Sequence, residues 1–174
     1  MSTLDHERQH LAGLLEAVQR SSWFLDQSAS KINWPMTAET LEANRKDVEF
    51  FETLAAVNER FAKLQDTLAS AMRHSALLLS EPAEHFLKVL AYFEKCGVLE
   101  SVEIWQESRM VRNMAAHDYE TDYELIAEHF NALHALMPML LRTSYNLVQL
   151  ADNTLSVKPR SNEFAKEFAQ LFSS

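Results

Sequence analysis

Apolar residues recur along this chain at steps of three and four, the spacing that lines one face of a helix. Leu4, Leu11, Leu14, Leu15, Val18, Phe24 and Leu25 keep mostly to that step and predict a helix over roughly residues 3–30. The run Asn-Trp-Pro-Met-Thr at 33–37 interrupts it, because Pro35 disfavours helical geometry at Trp34. Thr37 is then placed to cap the next segment. The helical pattern resumes through Leu41, Val48, Phe51, Leu54, Phe61, Leu64 and Leu68 to about Ser80. One long helix and two helices with a bend fit that stretch equally well.

Ser80-Glu-Pro82 predicts the start of a third helix, with Pro82 in the first turn where its missing N–H costs little. Gly97, after Cys96, suits the left-handed exit from that helix. Ser101 is a cap for the helix that follows. Thr121-Asp-Tyr-Glu124 has the form of a capping box opening a long helix over about 122–151, with a kink expected before Pro138. In the tail, Ser161 is placed to cap a last helix running to about Leu171, over roughly 159–172. Phe164, Phe168 and Leu171 share one stripe there. No run alternates apolar and polar residues long enough to argue for a strand. The pattern therefore predicts an all-α, up-and-down bundle of about five to seven helices.

Composition agrees with that pattern: 174 residues hold only 2 Gly and 4 Pro. The length suits a single domain over 1–174 with a substantial core. No apolar stretch is long enough to span a bilayer, and the first residues lack a signal-peptide pattern, so the expected location is the cytoplasm. The lone Cys96 can form neither an internal disulfide nor a zinc cluster by itself, and at the end of an apolar helix it is expected to be buried. A formal charge of −9 argues against a broad basic footprint for nucleic acid, though not against a small, locally basic site.

The candidate chemistry lies in residues 112–119, Arg-Asn-Met-Ala-Ala-His-Asp-Tyr. Arg112 can hold a phosphate through its fork of charged donors, and His117 can move a proton near neutral pH. Together they could support metal-free cleavage of a phosphodiester by the 2′-hydroxyl of RNA. Arg109, Arg112, Asn113 and Ala116 are related by helical steps and share a face. Arg112 and His117, five apart, converge if the helix loosens at His117, or if a second copy of the chain meets the first across a two-fold axis. The plain structural alternative pairs Arg112 with Glu107 or Asp118 and leaves His117 as a histidine favoured by a helix C-terminus. Val98, Val102, Trp105 and Met114 read as core. His6, His10, His74, His85, His129 and His134 lack the intervening glutamate of a zinc-hydrolase helix, and no metal or other cofactor is expected.

The octapeptide resembles the signature of the HEPN superfamily (higher eukaryotes and prokaryotes nucleotide-binding), in which an arginine and a histidine are separated by four to six residues. Its Arg-x4-His-x-Tyr form is similar to the HEPN toxins that accompany minimal nucleotidyltransferase antitoxins. The preceding Gly97-Val-Leu…Trp105…Arg109 run and, more loosely, Arg60-Phe-Ala-Lys-Leu-Gln-Asp-Thr-Leu68 extend the resemblance over about residues 57–145.

The resemblance implies a HEPN-like bundle and the toxin of a type VII-like toxin–antitoxin module. Such a toxin is a metal-independent endoribonuclease whose RNA-cleaving site forms at a homodimer interface. It implies catalytic roles for Arg112, His117 and Asn113, substrate binding by Arg109, and AMPylation of Tyr119 by a cognate nucleotidyltransferase that silences the toxin. A non-catalytic nucleotide- or substrate-binding subunit of such a transferase is the alternative, and the acidic charge leans toward it. With two glycines, the chain has no phosphate-cradling loop of its own to be the transferase.

Overall fold

Leu11, Leu15, Val18 and Leu25 lie along one stripe of the first helix and are wholly buried, because that stripe meets a matching one on the third. In the computed structural model, which describes residues 1–114 and 122–173, these are α1 (Thr3–Ala29) and α3 (Val48–Leu78). The facing stripe of α3 carries Leu54, Val57, Phe61, Leu64, Leu68 and Met72, each at most 2 % exposed. The two helices run antiparallel. Arg60 donates to the Phe24 carbonyl and the Ser28 hydroxyl near one end, and His74 meets Glu7 at 2.7 Å near the other.

Between them, α2 (Ala38–Ala43) starts at Thr37, whose hydroxyl accepts from the Thr40 N–H at 3.1 Å. The stretch to Ser80 is thus two helices. Asp47 caps the second by accepting from Phe50 at 3.1 Å. The segment leading into α2 is fastened to the sixth helix by Asn131, which accepts from the Met36 N–H (2.7 Å) and donates to its carbonyl (2.9 Å).

Helix α4 (Phe86–Lys95) begins later than Ser80-Glu-Pro82 suggests. Ser80 takes a left-handed conformation (φ 59°), and the Glu81 N–H closes α3 on the Ala76 carbonyl at 2.8 Å. Pro82 therefore stands in an irregular connection, and the new helix starts only where Phe86, Val89, Leu90 and Phe93 form a stripe toward the core. At its end Gly97 adopts φ 77°, and the Val98 and Leu99 N–H groups return to the Phe93 carbonyl. That turn buries Val98 and Leu99 and leaves Cys96 exposed, contrary to expectation. Cys96 lies one residue beyond the last turn, so the apolar stripe does not reach it.

Helix α5 (Val102–Met114) begins at Ser101, whose hydroxyl accepts from Ile104 at 3.0 Å. Helix α6 (Tyr123–Leu150) is capped by Asp122, which accepts from Leu125 at 3.2 Å. The capping box at 121–124 thus gives way to Asp122 as the cap, and Thr121 is outside the described residues. Pro138 stands exposed inside α6, which continues on both sides of it. A π-helical turn at Ala151–Leu155 ends α6.

The tail then follows α1 in the same direction. Arg8 donates to the Ser156 carbonyl, the Arg160 N–H to the Ala12 carbonyl at 3.0 Å, and Ser161 bonds Glu16. Gly13 permits this close passage, since a Cβ there would stand 2.6 Å from the Arg160 guanidinium. The last helix, α7 (Ala165–Gln170), is shorter than the pattern predicts and has no side-chain cap. Ser161 is instead occupied by Glu16 and the Glu163 N–H. Phe168 is the buried anchor of α7, at 4 % exposed. Among the described residues the chain is all helical, a bundle of seven α-helices.

Candidate nucleic-acid site

Helix α5 is held against α3 by a buried polar seam. Gln65, 1 % exposed, donates from its amide to the Ser108 hydroxyl at 2.5 Å and toward the Trp105 carbonyl at 3.5 Å. Ser108 passes its own proton to the Trp105 carbonyl at 2.7 Å. Trp105 is fully buried, as the apolar stripe predicts. Val98 is core as well, and Val102 packs half-buried against it. Met114 departs from that expectation at 49 % exposed, because in that last turn it is Arg112, two residues earlier, that takes the side of α5 facing α3.

One turn after Ser108 the same two helices position Arg112. Its guanidinium bonds both oxygens of Asp66, at 2.5 and 3.3 Å, and reaches the Gln65 side-chain oxygen at 3.4 Å and the Ala62 carbonyl at 3.3 Å. The partner of Arg112 is therefore Asp66 on α3 and not Glu107; Asp118 lies outside the described residues. The arginine is mostly covered (21 % of its side chain exposed) and the aspartate mostly open (64 %). Four contacts fix the guanidinium, while the carboxylate that neutralises it stays in solvent.

Asn113 and Arg109 are exposed on the same two turns of α5. Arg109 borders a cavity of about 180 Å³ between α3, α4 and α5, whose wall includes Gln65, Asp66 and Arg73. Along α3, three residues before Asp66, Lys63 joins Arg60 and Arg20 around a second cleft of about 250 Å³ where α1 meets α3. Arg20 and Arg60 flank the Phe24 ring at 5.2 and 5.1 Å. Among the described residues none of these three cations has a carboxylate within ion-pair distance, although Glu59 borders the same cleft. A chain of net charge −9 thus carries a locally basic face that crosses α3.

Of the residues singled out by the sequence, Arg109, Arg112 and Asn113 come together at the end of α5. His117 and Tyr119 lie outside the described residues, as does Ala116. Asp66, Gln65 and Arg73 were not visible as site residues, since they join α5 only through tertiary packing. The one trace of Gln65 and Asp66 in the sequence is the Arg60–Leu68 stretch, and Arg73 has none. Four of the described histidines outside the motif serve other contacts: His74 pairs with Glu7 and abuts His10, His129 bonds Asn58, and His134 stacks on Trp34 at 4.2 Å. Among the described residues no group of three or more His, Cys, Asp or Glu side chains is placed to hold a metal ion. No described helix is long and apolar enough to cross a membrane.

No family model, no curated protein and no solved structure matches this chain. The functional reading therefore stands on the residues themselves.

Proposed function

We propose that this protein is a metal-independent endoribonuclease acting as a homodimer, and that it is the toxin of a toxin–antitoxin pair. The observation that carries the reading is the fixed Arg112, set by Asp66, Gln65 and Ala62 at the end of α5, five residues before His117. An RNA phosphate enters by displacing the exposed Asp66 carboxylate. Arg112 then faces the phosphate with a guanidinium already oriented, which lowers the cost of stabilising charge that develops on phosphorus. The 2′-oxygen attacks phosphorus, the bond to the 5′-oxygen breaks, and a 2′,3′-cyclic phosphate forms. His117 takes the 2′-hydroxyl proton and, in its other copy, returns a proton to the leaving oxygen. Asn113 orients the phosphate or the imidazole. Arg109, Arg60 and Lys63 supply affinity for the flanking backbone.

Tyr119 is the point of control in this reading. A partner nucleotidyltransferase joins the tyrosine oxygen to the α-phosphorus of ATP, with pyrophosphate leaving. The added phosphate places negative charge and bulk beside His117 and Arg112.

A second reading is favoured by the net charge of −9 and by the ion pair that already occupies Arg112. In it the same residues grip a nucleotide for a partner transferase and no bond is cut. The experiment compares wild type with an Arg112→Ala, His117→Ala double variant under a tight inducible promoter, following growth and total-RNA integrity. Arrest with RNA cleavage in wild type alone supports the nuclease. Equal growth and intact RNA, with Tyr119 shown unmodified by mass spectrometry, overturns it in favour of the binding subunit.

A further inference from the structure

Two guanidiniums stand close together, without a carboxylate, in the cleft where α1 meets α3. Arg20 and Arg60 lie 5.2 and 5.1 Å from the centre of one ring, that of Phe24, so they are at most about 10 Å apart. Among the described residues neither has an ion-pair partner, and Glu59, on the same cleft, reaches neither. Like charges held this close repel, and an anion between them relieves the repulsion. Both are also held in place. Arg60 donates through one nitrogen to the Phe24 carbonyl and the Ser28 hydroxyl, and its other two nitrogens have no hydrogen-bond partner among the described residues. Arg20 is exposed, and the Phe164 ring of the tail lies 6.0 Å from its guanidinium.

This cleft and Arg112 lie on either side of the exposed face of α3. Gln65 turns to α5 and Arg60 to α1, while Lys63 and Asp66 are exposed between them. From Asp66 back to Arg60 is about 9 Å along the helix, and crossing α3 adds about 10 Å. A stacked strand advances about 3.4 Å per phosphate, so roughly four nucleotides cover the diagonal. We propose that the cleft seats a second phosphate of the RNA strand whose scissile phosphate lies on Arg112, with Arg20 and Arg60 as its ligands. The inference rests on the ribonuclease reading and gives its substrate a path across α3 and a minimum length. The first phosphate frees the Asp66 carboxylate. Lys63, three residues earlier on the same exposed face, is placed to offset that charge, and Arg20 and Arg60 remain for the second phosphate. Contacts of this kind position a strand without reading its bases.

The test measures equilibrium binding of uridine strands, one a dinucleotide and one about four times as long, to the His117→Ala protein, which holds RNA without cutting it. The same measurement is made with Arg20→Ala added. Arg20 is exposed, so the core is untouched, and circular dichroism checks the fold. The longer strand binds the Arg20→Ala protein about fivefold more weakly, and the slope of log affinity against log salt shrinks by about 0.7. The dinucleotide, too short to reach the cleft, binds both proteins alike. Glu59→Gln removes the carboxylate that borders the cleft and tightens binding of the longer strand alone. Equal losses for the two lengths, or an unchanged salt slope, overturn the second seat. Inorganic triphosphate bound as tightly as the longer strand, and lost with Arg20, makes the cleft a seat for free polyphosphate and overturns the strand assignment. RNA cleavage whose KM for the longer strand is unmoved by Arg20→Ala sinks the seat and leaves the ribonuclease standing. No cleavage and no binding of either strand sinks both.

Discussion

Arg112 and Asp66 form a two-point ion pair across α5 and α3, with N–O distances of 2.5 and 3.3 Å, and the acidic partner is the more exposed of the two. That asymmetry makes the aspartate the replaceable half. Arg112 keeps its contacts with Gln65 and Ala62 when the carboxylate is lost, so its place on α5 is retained while its charge is freed. Asp66→Asn is expected to tighten binding of a phosphate-containing strand several-fold. It is expected to cost about 1–3 kcal/mol in stability, because the guanidinium is mostly covered and loses a charged partner. Oligonucleotide titration at two salt concentrations, with urea unfolding alongside, checks both. Weaker binding in the variant would mean that Asp66 positions Arg112 instead of competing with its ligand.

The helical bundle was legible because burial imposes a period of three to four on every helix. Leu11, Leu15 and Val18 announce α1 as clearly as Phe61, Leu64 and Leu68 announce α3. Caps were legible where the side chain meets its own helix, as at Thr37 and Ser101. Signals failed where tertiary contacts outbid them. Pro82 has the look of a first-turn proline, yet the Glu81 N–H is drawn back to Ala76 and the helix waits for Phe86. Ser161 resembles a cap, but Glu16 of α1 claims it. The site divides in the same way. Arg109, Arg112 and Asn113 share a helix and could be read together. Asp66 lies 46 residues from Arg112, and no spacing rule connects residues so far apart in sequence.

Asn131 fastens the segment between α1 and α2 to α6 by holding both the N–H and the carbonyl of Met36. Met36 is 3 % exposed, so neither backbone group has ready access to water. Asn131→Ala leaves a donor and an acceptor without partners and is expected to cost about 1–3 kcal/mol. Asn131→Asp can still accept from the N–H but sets a carboxylate against the carbonyl, so it is no milder. Urea unfolding followed by circular dichroism measures the loss, and a midpoint unchanged in the alanine variant would show that the clamp contributes nothing.

Two histidines tie stability to pH. Burial lowers the pKa of His129, which bonds Asn58 at 3.1 Å and has its other ring nitrogen buried without a partner. Burial also lowers that of His134, stacked on Trp34. Both therefore hold protons less readily in the folded chain than in the unfolded one, where the value is near 6.5. Between the two values the unfolded state binds more protons, and stability rises with pH. Their contribution is complete above the unfolded value and is lost as pH falls through it toward the folded one. The expected result is a falling denaturant midpoint from pH 7 to pH 5. The His129→Gln, His134→Gln double variant should show a shallower fall. Parallel curves for the two proteins would place the pH dependence elsewhere.

Met110 and Met114 stand four residues apart on α5, 69 % and 49 % exposed, on the turns that carry Arg109 and Asn113. Two methionines in successive turns leave apolar surface in water beside the site, and the homodimer proposed above would cover it. Replacing both with glutamate puts like charges at that contact without disturbing the core, because neither side chain is buried. Sedimentation should give the wild type at twice the 20.0 kDa chain mass and the Met110→Glu, Met114→Glu variant at the chain mass. RNA cleavage should fall with the dimer while circular dichroism stays unchanged. The order of the two losses is informative. A variant that is monomeric and still cuts RNA would confine the chemistry to one chain, with Arg112 and His117 of the same copy acting together. Equal masses for both proteins would remove these methionines from any interface between copies.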